Sequence, residues 1–138
     1  MLIPPARVNQ GEIYWCEPDP QDLEGSEQKG DRPWVVISIA RLNRGNCVVG
    51  LPISRHVEKA CAHLVMIPKQ EITMEDGTPS IDRVALTDQI RALDKRRFKP
   101  RAGFVSQRAV NAIIVGIEAL FGNSPLPSVV KPPQKLSN

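Results

Sequence analysis

The sequence GSEQKGDRPWVVIS, residues 25–38, joins a polar segment interrupted by glycines to a continuous run of apolar residues. The apolar run continues to residue 40, and apolar side chains at consecutive positions are typical of a strand that is buried on both faces. Arg32 and Pro33 lie between the two parts. The stretch therefore predicts a loop that leads into a central strand, with the Arg32 guanidinium held at the mouth of that strand.

Other segments of similar composition predict a mainly β fold. Short runs rich in β-branched and other apolar residues, bounded by turn residues, predict strands at residues 11–18, 47–54, 63–68 and 83–90. Because Pro52 lacks a backbone donor, we expect it at an edge, at a bulge or at the end of its strand. Asp94 lies near the start of LDKRRF (93–98), which predicts one helical turn because a carboxylate there suits the exposed N–H groups.

The end of the domain predicts an amphipathic helix. Ser106 suits the N-cap, Gly122 suits the end, and apolar residues recur at helical spacing between them: Val110, Ile113, Ile114, Ile117, Leu120 and Phe121. About five short strands followed by one helix indicate a small antiparallel barrel or curled sheet. We expect one domain at residues 11–122, an N-terminal extension at residues 1–10 and a flexible proline-rich tail at residues 123–138.

The composition is that of an ordinary soluble domain, since 41% of the 138 residues are apolar and 24% are charged. The three cysteines form no CxxC pair, which indicates reduced thiols in a cytoplasmic protein. The spacing of His56, Cys61 and His63 fits no standard zinc pattern, so we expect no metal and no other cofactor. The sequence has neither a signal peptide nor an apolar run long enough to span a bilayer, so we expect no membrane partner.

The charge is concentrated in one short segment. The net charge of +3 permits a nucleic-acid partner without requiring one. Six of the eleven residues of RALDKRRFKPR (91–101) are cations and one is an acid, a density suited to contacts with phosphates. A solvated face that serves only solubility explains the same density.

Two further motifs carry residues suited to chemistry on a phosphate. The Arg32 guanidinium can donate two parallel hydrogen bonds to a phosphate, and Glu27 lies five residues earlier in the same loop. The alternative is an ion pair inside an exposed loop, which contributes little stability. In PISRH (52–56), Ser54 and His56 point the same way if the strand continues, and a histidine is suited to proton transfer near neutral pH.

Taken in order, these segments resemble the MazF/PemK family, the toxin halves of bacterial toxin–antitoxin pairs. The resemblance covers residues 11–122 and rests on GSEQxGxRP (25–33) and DQIRxxDKxR (88–97), with GEIYW before them and VVGLPIS between them. It implies an SH3-like barrel with a C-terminal helix, a homodimer and an antitoxin partner. The implied activity is metal-independent, sequence-specific cleavage of single-stranded RNA, mostly mRNA.

The resemblance also implies roles for individual residues. Arg32 stands at the family's catalytic arginine, Glu27 at the glutamate of its GSEQ loop, and Ser54 at a hydroxyl position that is usually threonine. Trp34 departs from the family pattern, in which a small or aliphatic residue commonly follows the RP pair. The residues expected to contact RNA are Gln28, Lys29, Arg55, His56, Gln89, Arg91 and Lys95.

RNA supplies its own nucleophile, the 2′-hydroxyl, so the implied reaction needs a proton acceptor, a proton donor for the leaving 5′-oxygen and stabilisation of negative charge. We expect Arg32 to stabilise the charge, because a guanidinium is hard to deprotonate. Ser54 is then expected to position the phosphate and Glu27 to act as the base or to orient other groups, with His56 as the second candidate for proton transfer. The expected products carry 2′,3′-cyclic phosphate and 5′-hydroxyl ends.

Two other functions fit the same fold. A CcdB-like gyrase poison binds a protein target and cuts nothing, but such toxins lack the GSEQxGxRP loop. A non-catalytic RNA-binding module of the same fold, with a decayed site, is compatible with the serine at position 54.

Overall fold

The computed structural model of the protein describes residues 4–17, 32–59 and 64–123. These residues form eight β-strands and one α-helix, joined in part by short 3₁₀ turns. The strands are β1 (Glu12–Cys16), β2 (Arg32–Val36), β3 (Cys47–Ser54), β4 (Val65–Ile67), β5 (Ile72–Met74), β6 (Arg83–Ala85), β7 (Arg91–Asp94) and β8 (Phe98–Val105), and the helix is α1 (Gln107–Leu120). The predicted fold class, mainly β with a C-terminal helix, is confirmed. None of the helices in these ranges is both long enough and apolar enough to cross a membrane.

The strands form one antiparallel sheet that curls into a nearly closed barrel. Its order is β4-β6-β3-β2-β1-β8-β5, and β7 also pairs with β3. One edge of β3 pairs with β2, while its other edge pairs first with β7 and then with β6. β3 therefore contacts three other strands of the sheet.

Strand β2 separates two hydrophobic clusters. Val35 lies in the larger cluster, together with Val110 and Ile113 of α1. Trp34 and Val36 lie in the smaller cluster on the other side of the strand. Because successive side chains of a strand point to opposite faces, this arrangement confirms the prediction of a strand that is buried on both faces.

Pro52 lies in an unexpected position, inside β3 and opposite Trp34 of β2. Its carbonyl accepts a hydrogen bond from the Leu86 N–H at 3.0 Å, and the nitrogen of a strand residue faces the same side as its carbonyl. On that side, β7 pairs only as far as Gly50 and β6 begins to pair at Ile53. Pro52 therefore lies where β3 changes its partner strand from β7 to β6, and its carbonyl takes part in a backbone hydrogen bond there.

Helix α1 begins and ends where the sequence predicts. The Ser106 hydroxyl accepts a hydrogen bond from the Ala109 N–H at 3.1 Å, and Gly122 after the helix has a φ of 77°, which favours glycine. The predicted apolar face is too long, because Leu120 is 37% exposed and Phe121 is 71% exposed. The last turn thus carries apolar side chains into solvent, and the buried residues of α1 are Ala109, Val110, Ile113 and Gly116.

The single strand predicted at residues 83–90 is wrong in its second half. β6 ends at Ala85, and a 3₁₀ turn follows at Thr87–Gln89. Thr87 is fully buried, and its carbonyl accepts the Ile90 N–H at 3.4 Å. The turn moves the chain from β6 to β7 along the same edge of β3, a change that apolar spacing alone does not reveal.

Strands β5 and β8 are not predicted from the sequence. β5 has only three residues, and β8 contains Pro100 and Gly103, which single-sequence criteria treat as strand breakers. Gly103 is required in β8, because a Cβ atom there would overlap the Thr73 carbonyl oxygen of β5. The helical turn predicted near Asp94 is confirmed as a 3₁₀ turn, in which the Asp94 side chain accepts the Arg96 N–H at 2.8 Å.

Candidate active site

A cleft of about 620 Å³ opens where β2 begins and β3 ends. Its wall combines apolar residues, among them Trp15, Pro33 and Ile53, with a cationic and hydroxyl-bearing set: Arg32, Ser54, Arg55, His56, Thr78 and Arg83. No carboxylate occurs among the lining residues that the structure describes. A cleft with three arginines and no acid in its described wall favours an anionic ligand.

Arg32 and Ser54 are brought together by the register of two strands. Antiparallel pairing sets Trp34 of β2 opposite Pro52 of β3, and continuing this register by two residues sets Arg32 opposite Ser54. Residues at facing positions have Cβ atoms about 5 Å apart and share one face of the sheet. The observed β2–β3 ladder ends at Trp34 and Pro52, and Arg32 and Ser54 both line the cleft just beyond it.

Arg32 is partly buried at the first position of β2. Its Nη1 donates a long hydrogen bond of 3.4 Å to Gln89 Oε1, and its Cζ lies 6.0 Å from the centroid of the Trp34 ring. Trp34 is only 6% exposed and belongs to the smaller core cluster. The residue that departs from the family pattern is therefore packed inside the fold, where its ring lies beside the guanidinium.

β3 ends at Ser54, as the predicted strand at residues 47–54 does, so the strand does not continue to His56 and the condition for the two side chains to point the same way is not met. Instead, Ser54 Oγ accepts a hydrogen bond from the His56 N–H at 3.0 Å. The His56 Nδ1 lies 3.4 Å from Glu58 Oε2, and the two side chains are 50% and 72% exposed. His56 thus lies at the rim of the cleft with a carboxylate beside it.

Three of the expected RNA-contacting residues are close to the Arg32 end of the barrel. Arg55 and His56 line the cleft directly. Gln89 belongs to the 3₁₀ turn that follows β6 and reaches Arg32 through the hydrogen bond already described. Their contact with RNA stays a prediction.

Lys95 lies at the opposite end of β3 from the cleft. Its Nζ donates to the Asn43 carbonyl at 2.7 Å, next to the connection between β2 and β3. β3 has eight residues and a strand rises about 3.3 Å per residue, so its two ends are about 23 Å apart. Arg91 pairs with Gly50 and lies between the two ends. An RNA strand in contact with both Arg32 and Lys95 therefore has to run along the whole of β3.

The basic segment 91–101 does not form one continuous cationic face. Arg96 donates to Asp94 at 2.7 Å, and this hydrogen bond holds the pKa of Asp94 down to about 2. Arg101 pairs with the nearly buried Glu12 at 3.2 Å, and Arg97 Nε donates to the backbone carbonyl of residue 17 at 2.9 Å. Arg96, Arg97 and Arg101, like Lys95, are thus held by contacts within the fold, which charge density alone could not indicate.

Arg83 is a residue of the cleft that the sequence does not single out. It is the first residue of β6, pairs with Ile67 of β4 and is only 6% exposed. Burial, followed by the charge of Arg55, lowers the pKa of Arg83. The only sign of Arg83 in the sequence is that a cation begins the otherwise apolar segment RVAL, residues 83–86. This sign does not identify a site residue, because a cation at the end of a strand is ordinarily exposed to solvent.

The remaining expected site residues, Glu27, Gln28 and Lys29, lie outside the described residues, so their roles stay predictions. Within the described ranges, no group of three or more His, Cys, Asp or Glu side chains is arranged to hold a metal ion. The described groups can bind a phosphate, stabilise negative charge on it and donate a hydrogen bond from a hydroxyl.

The chain matches a family of known toxins. Residues 9–121 match the family described as PemK-like, MazF-like toxin of type II toxin-antitoxin system. The chain is also 30% identical over 117 residues to the Endoribonuclease MazF of Staphylococcus saprophyticus subsp. saprophyticus, with 83% of this chain and 92% of that protein covered.

Two solved structures share the fold. The crystal structure of MazF (Form-I) from Deinococcus radiodurans has a TM-score of 0.63 at 24% identity and covers 84% of this chain and 97% of that chain. An endoribonuclease in complex with its cognate antitoxin, from Mycobacterial species, has a TM-score of 0.58 at 22% identity and covers 83% of this chain and 95% of that chain. Both support the barrel and the C-terminal helix.

Proposed function

The chain belongs to the PemK-like, MazF-like toxin family of type II toxin–antitoxin systems, and we propose that it acts as an endoribonuclease on single-stranded RNA, mostly mRNA. The proposed cleavage is sequence-specific and independent of metal ions. The observation that carries the proposal is that Arg32 and Ser54 line one cleft together with two further arginines. A phosphodiester is the substrate group that such a set of donors fits.

In the proposed reaction, the 2′-hydroxyl of the RNA attacks the adjacent phosphorus and the bond to the 5′-oxygen breaks. The products carry a 2′,3′-cyclic phosphate and a 5′-hydroxyl. Negative charge grows on the phosphate oxygens as the new bond forms, and a guanidinium fixed at the end of a strand stabilises it without reorganising. Arg32 has this role because its charge persists at any relevant pH.

Ser54 is proposed to position the phosphate. Its oxygen already accepts the His56 N–H, so the hydroxyl proton is directed elsewhere and can be donated to a phosphate oxygen. Serine keeps the hydroxyl that threonine has but lacks the methyl group that restricts the side chain. The proton transfers are assigned to Glu27 as base or orienting group, with His56, beside Glu58 at the rim, as the alternative.

The RNA strand is proposed to extend beyond the reacting phosphate on both sides. At the cleft, the proposed contacts are Arg55, His56 and Gln89, supported by their positions on the wall and beside Arg32. Further proposed contacts are Arg91, which pairs with β3, Lys95 at the far end of β3, and Gln28 and Lys29, which lie outside the described residues.

The activity is tested by incubating a long RNA with the purified protein in the presence of EDTA. We expect cleavage by the unmodified protein and a loss of roughly 100-fold or more in Arg32→Ala, since one charge-stabilising donor contributes about that much. Arg108→Ala is the matched control, because the Arg108 side chain is 86% exposed on α1 and lies outside the cleft. Mapping the 5′ ends of the products then gives the cleavage sequence.

Each other outcome of this assay contradicts part of the proposal. Undiminished cleavage by Arg32→Ala overturns the site assignment. RNA binding without cleavage by the unmodified protein indicates the non-catalytic RNA-binding module, and neither binding nor cleavage leaves the gyrase poison as the alternative.

We also propose an antitoxin partner, a homodimer and a cytoplasmic location. The antitoxin is supported by the family and by the mycobacterial structure, which holds its cognate antitoxin. A disordered acidic segment of such a partner would complement the arginines of the cleft. Molar mass measured in solution, with and without the antitoxin, tests both assemblies.

A further inference from the structure

Arg83 has the properties of a cation that binds a ligand. It is 6% exposed, yet within residues 4–17, 32–59 and 64–123 no hydrogen-bond acceptor or acidic group pairs with its guanidinium. Among the described residues no fully buried side-chain nitrogen lacks a hydrogen-bond partner, so the unpaired nitrogens of this largely buried side chain reach the solvent of the cleft, where an anion can contact them. By contrast, the Arg101 guanidinium forms an ion pair with the nearly buried carboxylate of Glu12.

A second arginine of the cleft wall lies near Arg83. Arg55 follows Ser54, the last residue of β3, and Ser54 pairs with Val84, the residue next to Arg83 in β6. Like charges that are held close together disfavour each other's charged form. The charge of Arg55 and the burial of Arg83 both act against the protonated form of Arg83. An anion between the two guanidiniums would relieve the repulsion and the burial together.

Both arginines line the same cleft as Arg32 and Ser54. Arg55 follows Ser54 directly, and successive residues at the end of a strand point in different directions. The Arg55–Arg83 pair and the Arg32–Ser54 pair therefore face different parts of the cleft. Two such pairs suit two phosphates of one strand better than they suit a single phosphate.

We propose that Arg83, together with Arg55, binds a phosphate of the RNA strand next to the phosphate that is cleaved. The identity of the anion rests on the proposed function, whereas the presence of an anion site rests on the burial of Arg83 and on its closeness to Arg55. Arg83 is thus a substrate-binding residue that holds the strand in register with Arg32 and Ser54.

The test compares Arg83→Met and Arg83→Lys with Arg108→Met in the full chain. The probe is a random-sequence 2′-O-methyl oligoribonucleotide, which binds but cannot be cleaved because its 2′-oxygens are blocked. Affinity is measured by fluorescence anisotropy over a series of salt concentrations. We expect Arg83→Met to weaken binding about tenfold or more and to lower the slope of log affinity against log salt by about 0.7. Arg83→Lys should keep the slope, and Arg108→Met should change neither quantity.

The thermal stability of the free protein provides an independent readout. Methionine replaces a largely buried cation that has no acid or hydrogen-bond acceptor beside it in the described residues by an apolar side chain, so Arg83→Met should melt at the same temperature as the unmodified protein or higher. A large fall in melting temperature would overturn the proposal, because it would mean that the fold itself holds the guanidinium. Equal affinity and equal salt slope in Arg83→Met and Arg108→Met would overturn it as well.

The two proposals fail in different ways. If the unmodified protein does not cleave RNA but Arg83→Met still loses affinity and salt slope, the phosphate site stands and the nuclease proposal is wrong. If the unmodified protein cleaves RNA and Arg83→Met binds like the control, the nuclease proposal stands and the phosphate site is wrong.

Discussion

Replacing Asn43 by alanine removes the side chain that ties the N-terminal segment to the connection between β2 and β3. Asn43 is 2% exposed, and its Nδ2 donates to the Val8 carbonyl at 3.1 Å and to the Ser38 carbonyl at 2.8 Å. Its Oδ1 accepts a hydrogen bond from the Ser38 hydroxyl. Val8 and Ser38 are themselves buried, so water cannot readily replace the lost amide.

The size of the effect follows from these contacts. Truncation leaves the carbonyls of Val8 and Ser38 without this donor, while the Ser38 hydroxyl can turn to the Val49 carbonyl, 3.4 Å away. At about 1–2 kcal/mol for each buried group left unsatisfied, the free energy of unfolding falls by about 3 kcal/mol. For a domain of this length, the melting temperature is then expected to fall by about 10 °C.

Urea denaturation followed by circular dichroism measures the change, with Asn46→Ala as the matched control. Asn46 has an exposed side chain three residues away, so its truncation should alter the free energy of unfolding by less than about 0.5 kcal/mol. Asn43 lies at the far end of β3 from the cleft, so folded Asn43→Ala should cleave RNA at the normal rate. If Asn43→Ala and Asn46→Ala unfold at the same urea concentration, the network does not stabilise the fold and the reasoning is refuted.

Two further predictions concern Ser54 and Asp94. Ser54→Ala should lower the rate of RNA cleavage about 10- to 100-fold, as expected for loss of one hydrogen bond to a charged group. Ser54→Thr should be at least as active as the unmodified protein, because the methyl group of threonine restricts the hydroxyl. Equal cleavage rates for the unmodified protein and both variants would contradict the role assigned to Ser54. Since the Arg96 hydrogen bond lowers the pKa of Asp94 from 3.8 to about 2, the stability contributed by the carboxylate is present above pH about 4 and is lost as the pH falls through about 2. The difference in urea midpoint between the unmodified protein and Asp94→Asn should therefore be small and should shrink between these pH values, and a difference that is constant with pH would contradict the pairing.

The parts of the fold that the sequence predicts well are those with local causes. The apolar run from Trp34 onward identifies β2, and the cap at Ser106 identifies the start of α1. β8 is not predicted because it contains Gly103, which the sequence criteria treat as a strand breaker. Gly103 is required by the close approach of the β5 backbone, and this contact exists only in the folded chain. The turn at Thr87 is not predicted for the same reason, since its position depends on two strands sharing one edge of β3.

The candidate site likewise contains residues that the sequence identifies and one that it does not. The resemblance identifies Arg32 and Ser54, and the structure shows both in the wall of one cleft. Arg83 is separated from Ser54 by 29 positions in the sequence, and only the pairing of β3 with β6 brings the two together. The basic segment shows the converse, because neighbouring cations such as Arg96 and Arg97 are turned toward different partners inside the fold.

The proline in the middle of β3 also affects the backbone directly beside the cleft. The Leu86 N–H donates to the Pro52 carbonyl, but Pro52 has no N–H with which to donate a hydrogen bond in return. Any other amino acid would have a backbone donor at this point, one residue before the cleft wall begins at Ile53. Because the ring of Pro52 fixes its φ angle, the direction in which β3 enters the cleft is set by covalent geometry where a second hydrogen bond is missing.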